Sequence, residues 1–213
     1  MNEPEKLPEI ERALAEGDVY KVIAHCCERL GRVPEDHKAR ELLAMALGDA
    51  GRGSAAVDIL KRTAEYLVGR GYLLPAIATL KKGLERAPAE KYWRDALLRL
   101  HVRAARDHRA TVRTPPPLPP SKSAPPSGGT AAELLDLDAD ELLDRAVEIG
   151  RRFPAGKQPV EPEPLPLFSD LDSDSFIVLV QRSTYRRLAA GEQFITEGQS
   201  GDALYLVADG EVE

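Results

Sequence analysis

The chain has 213 residues, enough for one or two domains, with a net charge of −6 and only 5% aromatic residues. An acidic chain is poorly suited to nonspecific nucleic-acid binding, because attraction to phosphate requires a basic surface. We therefore interpret the locally basic segment 81–113 as a solvated helix face. The sequence contains no Gly-x-Ser-x-Gly, HExxH, P-loop or kinase-type pattern, so we expect a protein that is not an enzyme.

The N-terminal residues and the cysteines predict a cytoplasmic protein. The start, MNEPEKLPEIERALAEG, lacks the apolar core of a signal peptide, and no apolar run reaches membrane-spanning length. The only two cysteines, Cys26 and Cys27, are adjacent, and a disulfide between them would be strained. Together with His25 they do not converge on one helix face, so we expect no metal site. We interpret them as small buried residues in a reducing compartment.

Residues 7–110 are predicted to be helical almost throughout, because apolar residues recur at spacings of three and four. The clearest examples are Leu42, Leu43, Ala46, Leu47, and then Val57, Leu60, Ala64 and Leu67. The pattern is interrupted by Gly17, Gly31, Pro34, Gly51, Gly71 and Pro88. One long helix is predicted at about 54–69 and a terminal helix at 91–109, with Trp93 and Leu97 facing inward.

These interruptions form a register. Gly17 and Gly51 are 34 residues apart, the period of a tetratricopeptide repeat. Copies of the register run through Gly17, Val22, Cys26, Arg29 and Pro34, through Gly51, Ala56, Leu60 and Thr63, and through Gly71, Ala76, Leu80, Gly83 and Pro88. In such a register small residues let paired helices approach, and proline ends the second helix.

In these positions the chain resembles the tetratricopeptide family, although related helical-hairpin arrays share the same features. Arg40 and Leu60 stand where that family usually has Trp. The resemblance implies a surface that binds a protein or peptide partner. The alternative is that the helices only pack on one another.

Two linkers and a helix are predicted next. Residues 111–130 are rich in proline, serine and glycine, which marks a domain boundary, with an SH3-type ligand as the alternative interpretation of PPPLPP. An amphipathic helix is predicted at 131–153, with Thr130 and Glu133 as a capping box. The stretch DLDADELLD lacks the glycine and the terminal glutamate of a calcium loop, so we expect no calcium site there. A second linker, rich in proline and glutamate, is predicted at 154–166.

From Leu167 the pattern changes from helical to alternating. A short helical entry at about 167–183 is followed by period-two alternation, which predicts strands at 193–196, 203–208 and from 211 onward. Glycine-bearing turns separate these strands, because tight turns need positive φ.

Residues 167–213 resemble the opening of the cyclic-nucleotide-binding family. The matching positions, in order, are Leu167-Phe168, Leu171, Gly191-Glu192, Ile195, Glu197-Gly198, Gly201-Asp202, Leu204-Tyr205, Val207 and Gly210. The resemblance implies the start of an all-β jelly-roll, in which four glycines serve as structural turn residues: Gly191, Gly198, Gly201 and Gly210. The family's phosphate-binding cassette, a helix N-terminus with an arginine, would lie beyond Glu213. No catalytic, cofactor-binding or metal residue is therefore assigned, and we expect the chain to be a fragment.

The predicted fold class is thus multidomain, with an all-α helical-hairpin repeat domain at 7–110 and a truncated all-β jelly-roll at 167–213. The implied function is regulatory: the full-length protein would sense cAMP or cGMP through the jelly-roll and dock protein partners through the helical repeats. One alternative is a non-enzymatic scaffold with a degenerate, nucleotide-free jelly-roll. Another is a transcription regulator whose DNA-binding module, or an enzyme whose catalytic domain, lies beyond this chain.

Overall fold

The architecture is taken from a computed structural model that describes residues 8–104, 126–154, 168, 170–188, 191–198, 200–201, 203–208, 210 and 212. Within these residues there are nine helices. They are α1 (Pro8–Glu16), α2 (Val19–Arg32), α3 (His37–Asp49), α4 (Gly53–Gly69), α5 (Leu73–Arg86), α6 (Lys91–Ala104), α7 (Ala131–Leu135), α8 (Ala139–Arg151) and α9 (Ser173–Arg182).

Helices α1 to α6 form an array in which each helix packs on the next. The connections are short, so consecutive helices run antiparallel as hairpins. At three of the turns the chain has glycine with positive φ, a conformation that other residues rarely adopt: Gly17, Gly51 and Gly71. Side chains of Asp18 and Asp36 accept backbone hydrogen bonds at the starts of α2 and α3. The helical part of the sequence prediction therefore agrees with the structure over residues 8–104.

The core of the array is made of the side chains that recur at helical spacing. The largest fully buried apolar ones are Ile23, Leu43, Leu47, Ile59, Leu60, Leu67, Leu80, Trp93 and Leu97. Close packing of α5 on α6 depends on Gly83, since a Cβ there would lie 2.5 Å from Cζ3 of Trp93. The array is thus held together by interlocking apolar faces.

The segment 126–154 returns to the array and packs against α2, α3 and α4. Both α7 and α8 contact α2, and α8 also contacts α3 and α4. The predicted capping box of Thr130 and Glu133 is present at the start of α7. The single helix predicted at 131–153 is divided into two, because Asp138 caps a new helix with a hydrogen bond from the Glu141 backbone.

Helix α9 packs on α6 and, to a smaller extent, on α5. Its buried side chains are Phe176, Ile177 and Val180. The Phe176 ring stacks on His101 of α6, with ring centroids 4.8 Å apart. The array therefore covers one apolar side of α9, while Leu179 on the same helix stays 41% exposed.

The predicted jelly-roll is wrong. In the described part of 167–213 the structure contains α9 and irregular chain, without any strand. A period-two pattern identifies side chains that would share a face, but a strand also needs a neighbour for its hydrogen bonds and a layer over its apolar side. The predicted strands have no such neighbour and no covering layer. Their large side chains Ile195, Leu204, Tyr205, Leu206, Val207 and Val212 stay exposed, from 40% for Val207 to 77% for Leu204. The fold of the described residues is helical, and the multidomain α plus all-β fold class is corrected accordingly.

Several sequence predictions concern residues outside the described ones. These are most of the linkers, at 111–125 and 155–166, and single positions of the jelly-roll pattern, namely Leu167, Asp202, Glu211 and Glu213. Among the helices that the structure describes, none has the length and apolarity needed to cross a membrane.

Candidate protein-docking faces

Two later stretches of the chain lie on separate faces of the array, and at each a buried basic side chain meets the end of a returning helix. The last carbonyls of a helix have no partner within the helix and carry partial negative charge. A basic side chain placed there donates hydrogen bonds to these carbonyls, and its positive charge is attracted to their partial negative charge. Arg40 does this for α8 and Lys81 does it for α9.

Arg40 lies on α3 and is only 1% exposed. Its Nη1 donates to the Gly150 carbonyl at 2.7 Å and to the Ile149 carbonyl at 3.4 Å, while Nη2 donates to the Pro34 carbonyl. The guanidinium carbon lies 4.0 Å from the centroid of the Phe153 ring. Burial lowers the pKa of Arg40 to about 10, so the side chain remains charged at neutral pH.

The face that receives α8 is closely packed. A Cβ on Gly150 would lie 2.6 Å from Cδ1 of Ile59 and 3.3 Å from Cδ2 of Leu43. The apolar side chains of α7 and α8 are buried there: Ala131, Leu134, Leu142, Leu143, Ala146 and Ile149. This face is therefore closed by a tightly fitted part of the chain.

A second face is formed by side chains of α3 and α5, and we call Glu41, Thr79, Lys81 and Lys82 the α3–α5 face. Glu41 and Thr79 are 6% and 0% exposed. The Thr79 hydroxyl donates to one oxygen of the Glu41 carboxylate and the Lys82 ammonium donates to the other. Burial alone would lower the pKa of Lys82, but Glu41 and Tyr185 outweigh it, so that this pKa lies above its ordinary value. The face thus holds a fixed, charged pair.

The α3–α5 face is crossed by the residues that follow α9, and we call residues 183–188 the strap. Where α9 ends, Lys81 Nζ donates to the Gln181 carbonyl at 3.2 Å. Lys82 Nζ lies 3.8 Å from the centroid of the Tyr185 ring. Further on, Arg187 Nη2 is 3.5 Å from Oε1 of Glu11 on α1. The strap therefore runs from α5 to α1 across the polar pair.

The strap is held much more lightly than the helix before it. Residues 183–187 are all exposed, and Tyr185 keeps 42% of its surface in solvent. In α9, by contrast, Phe176 is 1% and Ile177 2% exposed. Segments with few buried contacts open at low free-energy cost. The strap is a removable cover, whereas α8 and α9 are not.

The four glycines predicted as turn residues lie in exposed chain. Gly191, Gly198 and Gly210 have φ of 79°, 85° and 96°, and Gly201 has no positive φ. A Cβ on any of the four would meet nothing within 4 Å. Their assignment as turn residues of a jelly-roll depended on strands that the described residues do not form.

The cysteines and the histidines that the structure describes lie apart from one another in the helical array, with the exception of the neighbours His25, Cys26 and Cys27 on α2. Cys26 and Cys27 are free and buried, and burial raises the pKa of both thiols, that of Cys27 to about 12. His101 contacts the Ser173 hydroxyl and the Phe168 carbonyl, which ties α6 to α9. No cluster of metal-ligating side chains occurs in the part of the chain that the structure describes.

Comparison of the chain with protein-family models, with curated proteins and with solved structures gave no match. The cyclic-nucleotide-binding resemblance is overturned by the helical structure, and the tetratricopeptide resemblance finds no support.

Proposed function

We propose that the protein is a non-catalytic scaffold that docks a protein partner on the α3–α5 face of its helical array. The observation that carries the proposal is the buried Glu41–Lys82 pair, which lies beneath a lightly held stretch of the same chain.

A charged pair in this position is not what stability alone favours. Burying an ion pair costs desolvation free energy, and apolar side chains of similar volume often stabilise a core equally well or better. Apart from the buried Arg29–Asp36 pair, which joins α2 to the start of α3, neighbouring helices of this array meet mainly through apolar side chains. Oriented charges at one face, with a removable cover, are suited to recognising a ligand.

The strap supports the proposal as an example of the chemistry that this face accepts. It places an aromatic ring on Lys82 and a cation at Glu11. Just before it, the end of α9 places the Gln181 carbonyl near Lys81. The face that receives α8 is less suited to an outside partner, because α8 fills it with close apolar packing around Gly150.

For the compartment, we infer the cytoplasm. The support comes from Cys26 and Cys27, which are buried, adjacent and unpaired. Free thiols of this kind are typical of reducing compartments. Cell fractionation followed by detection of the native chain tests this, and recovery in an oxidising compartment would contradict it.

The docking function is tested by selecting peptides from a displayed library against the full chain and against its Tyr185→Ala variant, in which the cover is weakened. Selected peptides are then titrated by calorimetry against the double variant Glu41→Leu/Lys82→Met. This variant removes the charges together and retains apolar volume, so the fold is expected to persist. Far-ultraviolet circular dichroism checks that it does.

We expect peptides whose dissociation constant rises at least about tenfold in the double variant, the equivalent of about 1.4 kcal/mol. The control Arg62→Met, at an exposed position on α4, should leave binding unchanged. A library that yields no binders, or only binders that are indifferent to the Glu41–Lys82 pair, contradicts the proposal.

A further inference from the structure

We propose that the α3–α5 face recognises an extended peptide in which a tyrosine is followed two residues later by an arginine, and that the strap occupies this site in the free protein. The inference rests on the proposed docking function and adds to it the chemistry of the partner and the competitor that the partner must displace.

The aromatic position is defined by Lys82. Its ammonium is held by the Glu41 carboxylate, which is in turn held by the Thr79 hydroxyl. The Tyr185 ring lies over this fixed ammonium, 3.8 Å from centroid to Nζ. A cation whose position is fixed by buried partners attracts an aromatic face without first losing side-chain entropy. An aromatic side chain is therefore the ligand group that fits here.

The basic position is defined by Glu11. The Arg187 guanidinium reaches this carboxylate at 3.5 Å. Tyr185 and Arg187 both contact the array, whereas Arg186 between them pairs with Glu192 of the chain beyond. Tyr-x-Arg is thus the pattern that the face distinguishes.

The strap is suited to being displaced. Among residues 183–188 none is fully buried, so their removal exposes little apolar surface. A tethered segment nevertheless competes at a high effective concentration, of the order of millimolar for short flexible tethers. An outside peptide can bind only the molecules whose strap is open. Its apparent dissociation constant is therefore the intrinsic one divided by the fraction of open molecules.

The test uses the full chain carrying Tyr185→Ala and Arg187→Ala, and a fluorescent peptide of residues 181–188, QRSTYRRL. Binding is followed by anisotropy. We expect this peptide to bind the double variant at least about tenfold more tightly than it binds the unaltered chain, in which the strap competes. A peptide with alanine in place of the tyrosine should bind about tenfold more weakly than the parent peptide. A peptide with alanine at the position of Arg187 should bind up to about fivefold more weakly, the range for an exposed ion pair.

A charge exchange between chain and peptide distinguishes specific pairing with Glu11 from nonspecific attraction of a basic peptide to an acidic chain. Glu11→Arg, added to the variant Tyr185→Ala/Arg187→Ala, should weaken binding of QRSTYRRL, and a peptide with glutamate at the position of Arg187 should recover it. Glu9→Arg, at another exposed position of α1, is the matched control and should leave the preference for QRSTYRRL unchanged. A scrambled peptide of the same composition should bind neither chain.

Two outcomes overturn the inference: QRSTYRRL does not bind the double variant, or it binds the unaltered chain with equal affinity. If library peptides still depend on the Glu41–Lys82 pair in either case, the docking function stands and only the partner chemistry is wrong. If they do not, both proposals are contradicted.

Discussion

The single hydrogen atom that Gly83 carries in place of a side chain decides how closely α5 approaches α6. A Cβ at this position would lie 2.5 Å from Cζ3 of the Trp93 ring, and Trp93 is fully buried. A rigid, enclosed ring cannot move aside, so either the helices separate or the ring leaves its rotamer.

Gly83→Ala should therefore lower the free energy of unfolding by about 1–3 kcal/mol, the usual cost of overpacking. This is opposite to helix propensity, which favours alanine over glycine by about 1 kcal/mol. Urea unfolding followed by Trp93 fluorescence measures the change.

Gly69→Ala, at the end of α4, is the matched control. Its Cβ would meet nothing within 4 Å, so we expect no loss and a gain of up to about 1 kcal/mol. Equal losses at the two glycines would show that contact with Trp93 is not the reason for Gly83.

Arg40 is the residue on which the docking of α8 depends. Arg40→Met keeps most of the side-chain volume but removes the arginine donor from the Gly150 and Pro34 carbonyls, whereas the Ile149 carbonyl keeps the Arg152 backbone N–H. We expect the free energy of unfolding to fall by about 2–4 kcal/mol, since each buried, unpaired carbonyl costs about 1–3 kcal/mol.

Arg62→Met serves as the control for Arg40→Met, because Arg62 forms an exposed ion pair with Asp58 and should change stability by no more than about 0.5 kcal/mol. A loss at Arg40 no larger than that at Arg62 would mean that the carbonyl contacts do not hold α8 in place.

At the scale of helices, local pattern predicted much of what forms. The helix predicted at 54–69 is α4, Gly53–Gly69, and the capping box of Thr130 and Glu133 is present. Both signals lie within a few residues of sequence, where propensity and capping act. Sequence did not predict where α8 docks, because an amphipathic pattern shows that a helix has an apolar face but not which surface covers it.

The prediction of strands was wrong for a related reason. The alternation around Ile195 and Leu204 is real, but strand formation depends on pairing and covering surfaces that local sequence does not encode. In the structure these two side chains remain exposed, and the Phe194 and Tyr205 rings of the two segments lie with their centroids 5.2 Å apart.

The docking faces were missed because their partners are distant in sequence. Arg40 is 110 positions from the carbonyl of Gly150, and Lys81 is 100 positions from that of Gln181. A usable signal was present at Arg40 alone: it lies three and seven residues before Leu43 and Leu47, on the apolar stripe of its helix. A charged residue in such a stripe indicates a specific partner.

Hydrogen exchange should separate the two returning segments. Backbone amides of α8 should be protected to the same degree as those of α3 and α4, which they pack against, whereas residues 184–188 should exchange with little protection. Mass spectrometry of peptic fragments measures both in one experiment. Strap protection equal to that of α8 would contradict the light attachment that the peptide proposal requires.

For the molecule as a whole, the Glu41–Lys82 pair should give stability a dependence on alkaline pH. The pKa of Lys82 is raised above its ordinary value of 10.5. The stabilisation is therefore fully present below pH 10.5 and is lost as the pH rises through the raised folded-state pKa.

The difference in unfolding free energy between the unaltered chain and Glu41→Leu/Lys82→Met should accordingly stay constant near neutral pH and shift against the unaltered chain above pH 10.5. Urea titrations of both proteins at several pH values measure it. The comparison cancels the titration of tyrosines and cysteines that both chains share. A constant difference up to the most alkaline condition would mean that the pair is not coupled as described.

The most direct test of docking on the α3–α5 face is to locate a bound peptide by backbone amide NMR, using the full chain and one library-selected peptide. The account predicts shifts concentrated around Glu41 and residues 79–82, together with a change of the strap amides toward the free state. Shifts concentrated on α8 and α2, with the strap amides unmoved, would contradict it.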